Sequence, residues 1–357
     1  MKERASMYEP TVSIITVCLN SEKTIERTIK SVINQSYVNI EYIVIDGGSI
    51  DNTKDIIKKY EAYISYFISE KDQGIYDAIN KGIDAATGDI IGIINSDDWY
   101  MEDAVETIVD CSREKEAEVY FGDFFFHEDG KNNVHNVNPP FKQLWHNMVM
   151  GHPAVFVIRK VYECFGKFDL SYRIAADFNF LNQLYYAGVS FVHIAKPIVF
   201  FSMGGISTTR VKLCEEETIK IRLHNIRKKI FIDILKEYLV DNRNIYIFGI
   251  GSWGIYIVEI IKDIVNIAGL IDNKQEKWND SYLGYTISPP GSIKYTNACV
   301  FITAVNCEKE IEIQLLQMGI ESKNIIKLSE CLGRYEELIA LECMNYYEWD
   351  ITKCSRI

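Results

Sequence analysis

Residues 90–98 read Ile90-Ile91-Gly92-Ile93-Ile94-Asn95-Ser96-Asp97-Asp98. An apolar run of strand length breaks off on four polar residues, and the last two are carboxylates. Such a run suits a strand buried on both faces, the usual state in a parallel sheet. Working outward, Gly74 to Ala86 predicts a helix and Tyr63 to Ile68 a strand. Asp51 to Tyr60 predicts another helix. Glu41 to Ile45 predicts a strand ending in Asp46-Gly47-Gly48-Ser49. Glu22 to Gln35 predicts a helix, and Thr11 to Val17 a first, β-branched strand. Alternating strands and helices give a mostly parallel α/β sheet with crossover helices. Ligands of such sheets bind beyond the carboxyl ends of the strands. The clusters Cys18-Leu19-Asn20, Asp46-Gly47-Gly48 and Asn95-Ser96-Asp97-Asp98 all fall at such ends, so one site is expected to gather them.

Adjacent carboxylates repel unless a cation lies between them. A solvated turn, or a helix N-cap ahead of Trp99 or Tyr100, is the ordinary reading of an isolated Asp-Asp pair. Here Asp46 and the loop Asp72-Gln73-Gly74 add further acids to the same edge. Several oxygen donors together suit a hard divalent cation, which would bridge an anionic ligand such as a diphosphate.

Five segments in order carry a resemblance. They are Val12-Ser13-Ile14-Ile15-Thr16-Val17-Cys18-Leu19-Asn20, Asp46-Gly47-Gly48-Ser49-Ile50-Asp51-Asn52-Thr53, Asp72 through Gly82, Ala86-Thr87-Gly88-Asp89 and Asn95-Ser96-Asp97-Asp98. Together they resemble the family-2 glycosyltransferases over about residues 10–208. The resemblance implies a GT-A fold, a nucleotide-sugar donor, a divalent metal (Mn²⁺ or Mg²⁺) and inversion at the anomeric carbon. It implies that the Thr16-Val17 strand end, Asn20 and Asp46 hold the donor, with Asp46 accepting from a base N–H, which suits uracil or thymine. Asp72 would line the nucleoside pocket. Lys81 would meet phosphate or stand as a solvated helix lysine. Asp97 would face the ribose and the metal shell, and Asp98 would ligate the metal.

Inversion by a single displacement needs a carboxylate opposite the leaving group to take the acceptor's proton. Asp177, in Arg173-Ile174-Ala175-Ala176-Asp177-Phe178-Asn179, opens a predicted helix and resembles the family's acidic motif after the acceptor loop. A plain capping aspartate is the alternative, and both roles coexist only if one carboxylate oxygen stays free. His152 lies where related sequences carry a polar residue near the acceptor, and a structural histidine is equally compatible. Gly204-Gly205-Ile206-Ser207 resembles a closing loop. The Gln-x-x-Arg-Trp motif of processive membrane synthases is missing, which favours a single-addition transferase.

The 357 residues predict two domains. A strand-and-helix pattern restarts at Ile245, giving a GT-A domain at 1–209, a helical linker at 210–240 and a smaller Rossmann-like domain at 241–357. In the last, Ile245 to Phe248 leads into Gly249-Ile250-Gly251-Ser252-Trp253-Gly254, and Asp272 follows a second strand. Glycines at this spacing permit a tight turn and close approach of a phosphate, and Asp272 would accept from ribose hydroxyls. A bound NAD(P) and a regulatory or scaffolding module are both open; the resemblance here is to small domains attached to sugar-modifying enzymes. Ile219 to Leu239 interleaves apolar residues with Arg222, Arg227, Lys228 and Lys229. That stretch reads either as a helix touching anionic lipid or as a packed interdomain helix.

The net charge of −12 argues against generic nucleic-acid binding. Nine scattered cysteines with no Cys-x-x-Cys spacing suggest neither zinc nor a disulfide framework. The polar start and the lack of a long apolar run predict a cytoplasmic protein, in reach of the membrane's inner face if its acceptor is lipid-linked. The leading expectation is a metal-dependent inverting glycosyltransferase using a UDP-sugar in surface polysaccharide or glycolipid assembly. The competing ones are a non-catalytic nucleotide-sugar or dinucleotide sensor and an NAD-dependent oxidoreductase in the second domain.

Overall fold

The computed structural model describes residues 9–128, 131–135, 144, 148–203, 205, 209–225, 228–239, 244–294 and 298–347. The chain divides into two compact units, Met1–Thr218 and Ile219–Glu348.

In the first unit, β1 (Val12–Cys18) is buried along its whole length and lies between β2 (Ile40–Asp46) and β4 (Ile90–Asn95), parallel to both. β3 (Tyr66–Ser69) extends the parallel half beyond β2. The order β3-β2-β1-β4 means that the chain first builds outward on one side of β1 and then crosses to the other. That reversal opens a crevice at the carboxyl ends of β1 and β4. The register puts the ends level: Cys18 pairs Asp46, Asp46 pairs Ser69, and Val17 pairs Asn95.

Helices cover the parallel half. α1 (Ile25–Ile33) buries Ile25, Thr28, Ile29 and Val32, one face at helical spacing. α2 (Thr53–Lys58) follows β2, and α3 (Ile75–Ala85) buries Tyr76, Ile79 and Ile83. Beyond β4 the sheet turns antiparallel and mixed, with β5 (Trp99–Tyr100), β6 (Val119–Glu128), β7 (Lys131–His135), β8 (Val155–Ile158) and β9 (Phe191–Ser202). Helices α4 (Ala104–Glu114), α5 (Arg159–Phe165) and α6 (Ala176–Tyr186) complete the unit. The long strand β9 is absent from the sequence-based expectation. It contains Pro197, and its register with β6 shifts on both sides of Asp123, so no clean alternation marks it.

The expected linker at 210–240 is two helices, α7 (Val211–Asn225) and α8 (Lys228–Tyr238). The division falls inside α7, between Thr218 and Ile219, rather than at 209/210. Ile219, Ile221, Phe231, Ile234, Leu235 and Leu239 are buried. Phe231 meets Tyr335 edge-on at 5.3 Å. The apolar face, read from sequence as either lipid-facing or packed, is packed within the second unit, and Arg222, also buried, has its guanidinium 4.6 Å from the Trp253 ring centre.

The second unit holds a six-stranded sheet. Its central strands are β10 (Ile245–Phe248), β11 (Ile267–Ile271) and β14 (Cys299–Ile302), parallel to one another. The hairpin β12 (Ser281–Tyr282) and β13 (Tyr285–Ser288) lies on one side and β15 (Ile325–Lys327) on the other. Its helices are α9 (Ser252–Ile261), α10 (Glu308–Gln317) and α11 (Leu328–Tyr347). Phe248, Val300, Ile302, Ile311 and Leu315 pack in its core. Among the described residues no helix is long and apolar enough to cross a membrane. The seven cysteines whose side chains are described are free thiols.

Candidate active site

The loops after β1, β2 and β3 are tied to one fully buried carboxylate. Asp46 accepts from the Ser49 backbone N–H at 3.0 Å, the Ser69 hydroxyl at 2.5 Å and the Ser49 hydroxyl. The Cys18 thiol donates to it at 3.6 Å. Burial, then the neighbouring Asp46 charge, pushes that thiol far above its usual range, so it stays a protonated donor. A buried carboxyl group is tolerable only with such a set of hydrogen-bond partners. Asp46, expected to accept from a nucleobase, instead has both oxygens engaged by its own fold.

The neighbouring loops extend the same scheme. Asn20, in a left-handed conformation with φ 50°, accepts from the Ile50 N–H, while its own N–H donates to the Ser49 hydroxyl. The hydroxyls of Ser21 and Ser96 lie 2.7 Å apart and link the β1 and β4 ends. Thr16 is fully buried, its hydroxyl 3.1 Å from that of Tyr42, and Val17 lies inside the sheet. Both side chains are buried in the sheet, and both backbones are paired on two sides.

Asp72 occupies the space that Gly47 leaves. A Cβ on Gly47 would lie 2.2 Å from Asp72 Oδ2. Asp72 Oδ1 accepts from the Gly74 N–H at 3.0 Å. Desolvation raises its pKa, against the opposing pull of the Gly74 N–H and Lys81. Lys81 pairs with Glu70 at 2.8 Å and Asp77 at 3.3 Å, and the Glu70 bond raises its pKa.

The two acids after β4 differ. Asp98 is buried at 1% exposure, and both oxygens are taken, by the Ser202 N–H at 2.8 Å and the Asn95 amide at 3.1 Å. Asp97 is half-buried. Its carbonyl accepts from Arg27 at 2.9 Å and from the Ser202 hydroxyl at 2.5 Å, leaving the carboxylate turned toward Gly205, whose Cβ position lies 3.9 Å from Oδ2. Burial raises both pKa values, and for Asp98 the Asp97 charge adds to it. Arg27 stacks on Trp99, 3.6 Å from the ring centre, and Trp99 stacks on Phe200.

A divalent cation requires oxygen donors not already committed. Asn95 Oδ1 is buried with no hydrogen-bond partner, next to the Asp97–Asp98 pair. Asn95 Oδ1 and the Asp97 carboxylate are oxygen donors of the kind that Mg²⁺ or Mn²⁺ takes. Among the described residues no three His, Cys, Asp or Glu side chains group as a closed metal cage.

Asp177 lies in the first turn of α6. Its Oδ1 accepts from the Phe178 N–H and the Tyr76 hydroxyl, each at 2.9 Å. The single Tyr76 O–H is shared between Asp177 Oδ1 and the nearer Ile174 carbonyl at 2.5 Å. Among the described residues Oδ2 has no hydrogen-bond partner, so the carboxylate is anchored there by one oxygen. Phe168 stacks on Tyr76 and meets His152 edge-on, bringing His152 into the same cluster. Desolvation lowers the His152 pKa, and the Asp177 charge opposes it. The expected closing loop, apart from Gly205, lies outside the described residues. Tyr76, Ser49, Ser69, Arg27 and Ser202 were not singled out by sequence reading. Of these only Tyr76 and Ser49 lie inside quoted motifs; the partners of the others are 70 to 175 residues away or set by strand register.

In the second unit, Gly249 has φ 99°, and a Cβ on Gly254 would lie 2.3 Å from the Gly249 carbonyl, so these glycines are sterically required. A Cβ on Gly251 would meet open space. Asp272 Oδ2 accepts from the Ile250 N–H at 2.8 Å and from Lys277 at 3.1 Å, and Oδ1 accepts from the Lys274 N–H. Lys277 also donates to the Ile250 carbonyl. The acid expected to hold ribose hydroxyls is thus consumed in clamping its own turn, and these residues do not fit a dinucleotide that needs that carboxylate.

Residues 13–170 match the model of glycosyl transferase family 2, and residues 241–326 match the C2185-like N-terminal family. An uncharacterized glycosyltransferase of Mycobacterium tuberculosis is 32% identical over 248 residues, 67% of this chain and 87% of the relative. A PGL/p-HBAD biosynthesis glycosyltransferase of Mycobacterium bovis is 28% identical over 213 residues, 57% of this chain and 82% of that one. Among solved structures, S. aureus TarS 1-349 in complex with UDP-GlcNAc superposes with a TM-score of 0.51 at 17% identity and covers 63% of this chain. That likeness establishes a shared GT-A fold. The chain spans 40 to 66% of the length of the solved TarS chains.

Proposed function

Because this chain belongs to the family-2 glycosyltransferases, we propose that it transfers a sugar from a UDP-linked donor to an acceptor hydroxyl, with inversion and with the help of a divalent cation. The observation that carries the reading is the half-anchored Asp177 carboxylate, with one oxygen held by Tyr76 and the Phe178 N–H and the other open. A base needs this combination of fixed direction and a free lone pair.

The donor roles fall to the residues left uncommitted. Asp72, seated over Gly47, has Oδ2 available to accept a nucleobase N–H, the role expected of Asp46. Asn20, exposed after β1, is a second candidate for donor contact. Asp97 and Asn95 Oδ1 would hold Mn²⁺ or Mg²⁺, and Asp98 supports them as a buried brace, in place of the direct ligand role expected for it. The bound cation supplies electrostatic stabilisation of charge developing on the departing diphosphate. Lys81, committed to Glu70 and Asp77, serves phosphate only by leaving those partners. His152 borders the acceptor beside Asp177, and Asp177 Oδ2 takes the acceptor's proton as its oxygen attacks the anomeric carbon.

Surface glycolipid or polysaccharide is the acceptor class, supported by the relative named for PGL/p-HBAD biosynthesis. Such assembly would bring the chain to the cytoplasmic face of the membrane, and the buried apolar side of α7 and α8 argues against direct lipid contact by that face. The sensor reading lacks a supporting observation in this unit. The second unit is read as a regulatory or scaffolding module.

The test is release of UDP from UDP-glucose, UDP-galactose and UDP-GlcNAc with Mn²⁺. Asp177→Asn is expected to lower turnover by about 10²-fold or more while leaving UDP binding intact. Near-normal turnover in that variant removes Asp177 from the role.

A further inference from the structure

Helix α6 begins at Ala176 behind an Ala175 that has no side chain able to cap it. The three N–H groups that lead into the helix are nonetheless paired. Arg173 N–H donates to Glu217 Oε1 at 2.8 Å, and the Ile174 and Ala175 N–H groups donate to Glu217 Oε2 at 2.9 and 3.0 Å. Three consecutive amides converging on one carboxylate form an anion-binding concavity. Its occupant comes from α7, 42 to 44 residues further along the chain. Glu217 is 4% exposed, and Ile174 and Ala175 are buried.

From this geometry we propose that Glu217 is a positioning residue for Asp177; the inference rests on Asp177 being the base. The segment 173–175 is held from two sides. Glu217 takes its N–H groups, and Tyr76 takes the Ile174 carbonyl while touching Asp177 Oδ1. Asp177 follows two residues later, so its direction is set by that clamp. The division of labour matters as much as the rigidity. An aspartate in the first turn of a helix ordinarily spends its carboxylate on the orphan amides. Here the imported carboxylate takes the Ala175 N–H at the helix start and the two amides before it. Asp177 is left with a single backbone bond, to Phe178, and keeps Oδ2 for the acceptor. Only a carboxylate can do this, since two acceptor oxygens and no donor are required; a glutamine would turn an NH₂ toward one of the amides. Glu217 touches no substrate in this scheme and acts through the loop alone.

The experiment is a double-mutant cycle on the full chain with Glu217→Gln and Asp177→Asn, reading UDP release from the three UDP-sugars with Mn²⁺, and UDP binding by thermal shift. Glu217→Gln is expected to lower kcat by about tenfold or more with donor KM changed less than about twofold, as displacement of a catalytic group predicts. Added to Asp177→Asn it should cause no further loss. Should Glu217→Gln keep its kcat, or should its effect multiply undiminished with that of Asp177→Asn, Glu217 has no part in positioning the base. A Glu217→Gln protein that no longer binds UDP points to a general folding role and likewise overturns the proposal. Unimpaired turnover in Asp177→Asn alone would instead remove the parent reading. Glu217→Asp, which retains both oxygens on a shorter stem, should recover part of the lost kcat.

Discussion

Asp72 sits where a side chain at residue 47 would otherwise stand: the Cβ position of Gly47 is 2.2 Å from Asp72 Oδ2. The two residues belong to different loops, after β2 and after β3, so the proposed donor pocket depends on a glycine in one to admit a carboxylate from the other. Gly47→Ala must push Asp72 aside. The expected outcome is a donor KM, or UDP dissociation constant, raised by about tenfold, the equivalent of losing one hydrogen bond to a charged group. Titration with UDP against wild type checks it, and Asp72→Asn should match the effect without the steric component.

The adjacent acids after β4 should respond oppositely to the same substitution. Asp97→Asn is expected to retain stability and lose Mn²⁺-stimulated turnover. Asp98→Asn removes one of two acceptor oxygens from a buried site bonded to Ser202 and Asn95. It should cost about 1–3 kcal/mol of folding free energy, measured by urea denaturation. A stable Asp98→Asn with wild-type folding would show that those two bonds are not what holds the β4 end to β9.

The raised pKa values of Asp97 and Asp98 have a definite sign. A carboxyl whose folded pKa exceeds its unfolded value contributes stability that is fully present below the usual carboxylate range, about 4, and is lost as pH rises through the folded value. The metal-free protein should therefore forfeit this contribution on going from acid toward neutral pH. Mn²⁺, which favours the ionised pair, should stabilise more at pH 8 than at pH 5. Thermal-shift measurements with Mn²⁺ and with EDTA across that interval test the sign, and Asp97→Asn should flatten the difference.

In the second unit Asp272 joins the turn at Ile250 to the residues after β11. Asp272→Ala strands the buried Ile250 N–H and removes the partner of Lys277. A loss of about 2–4 kcal/mol in the stability of this unit is expected, read from its denaturation transition. Lys277→Ala, partly exposed, should cost less.

Much of the first unit was legible because buried parallel strands advertise themselves. The runs ending at Cys18, Asp46 and Asn95 are predominantly apolar, and each breaks into polar residues where the crevice opens. The choice between neighbouring acids was not legible. Asp46 and Asp98 are sealed off by donors that arrive through strand register and from residues up to 104 positions away, while Asp72 and Asp97 stay open. The same holds for Tyr76, whose contact with Asp177 spans 101 residues. The stretch before Ile245 showed its helical character and its apolar periodicity. What covers that apolar side depends on packing against residues such as Tyr256 and Tyr335, which no local pattern reports.

The knot of donors around Asp46 also bears on how such a pocket can diversify. Ser49 and Ser69 reach it from two loops and Cys18 from a third, so none of these backbones can drift alone without abandoning a buried charge. New sugar or base preferences would then arise by exchanging rim side chains on a conserved frame, with Asp72 and Asn20 the adjustable positions and Asp46 the one least free to vary.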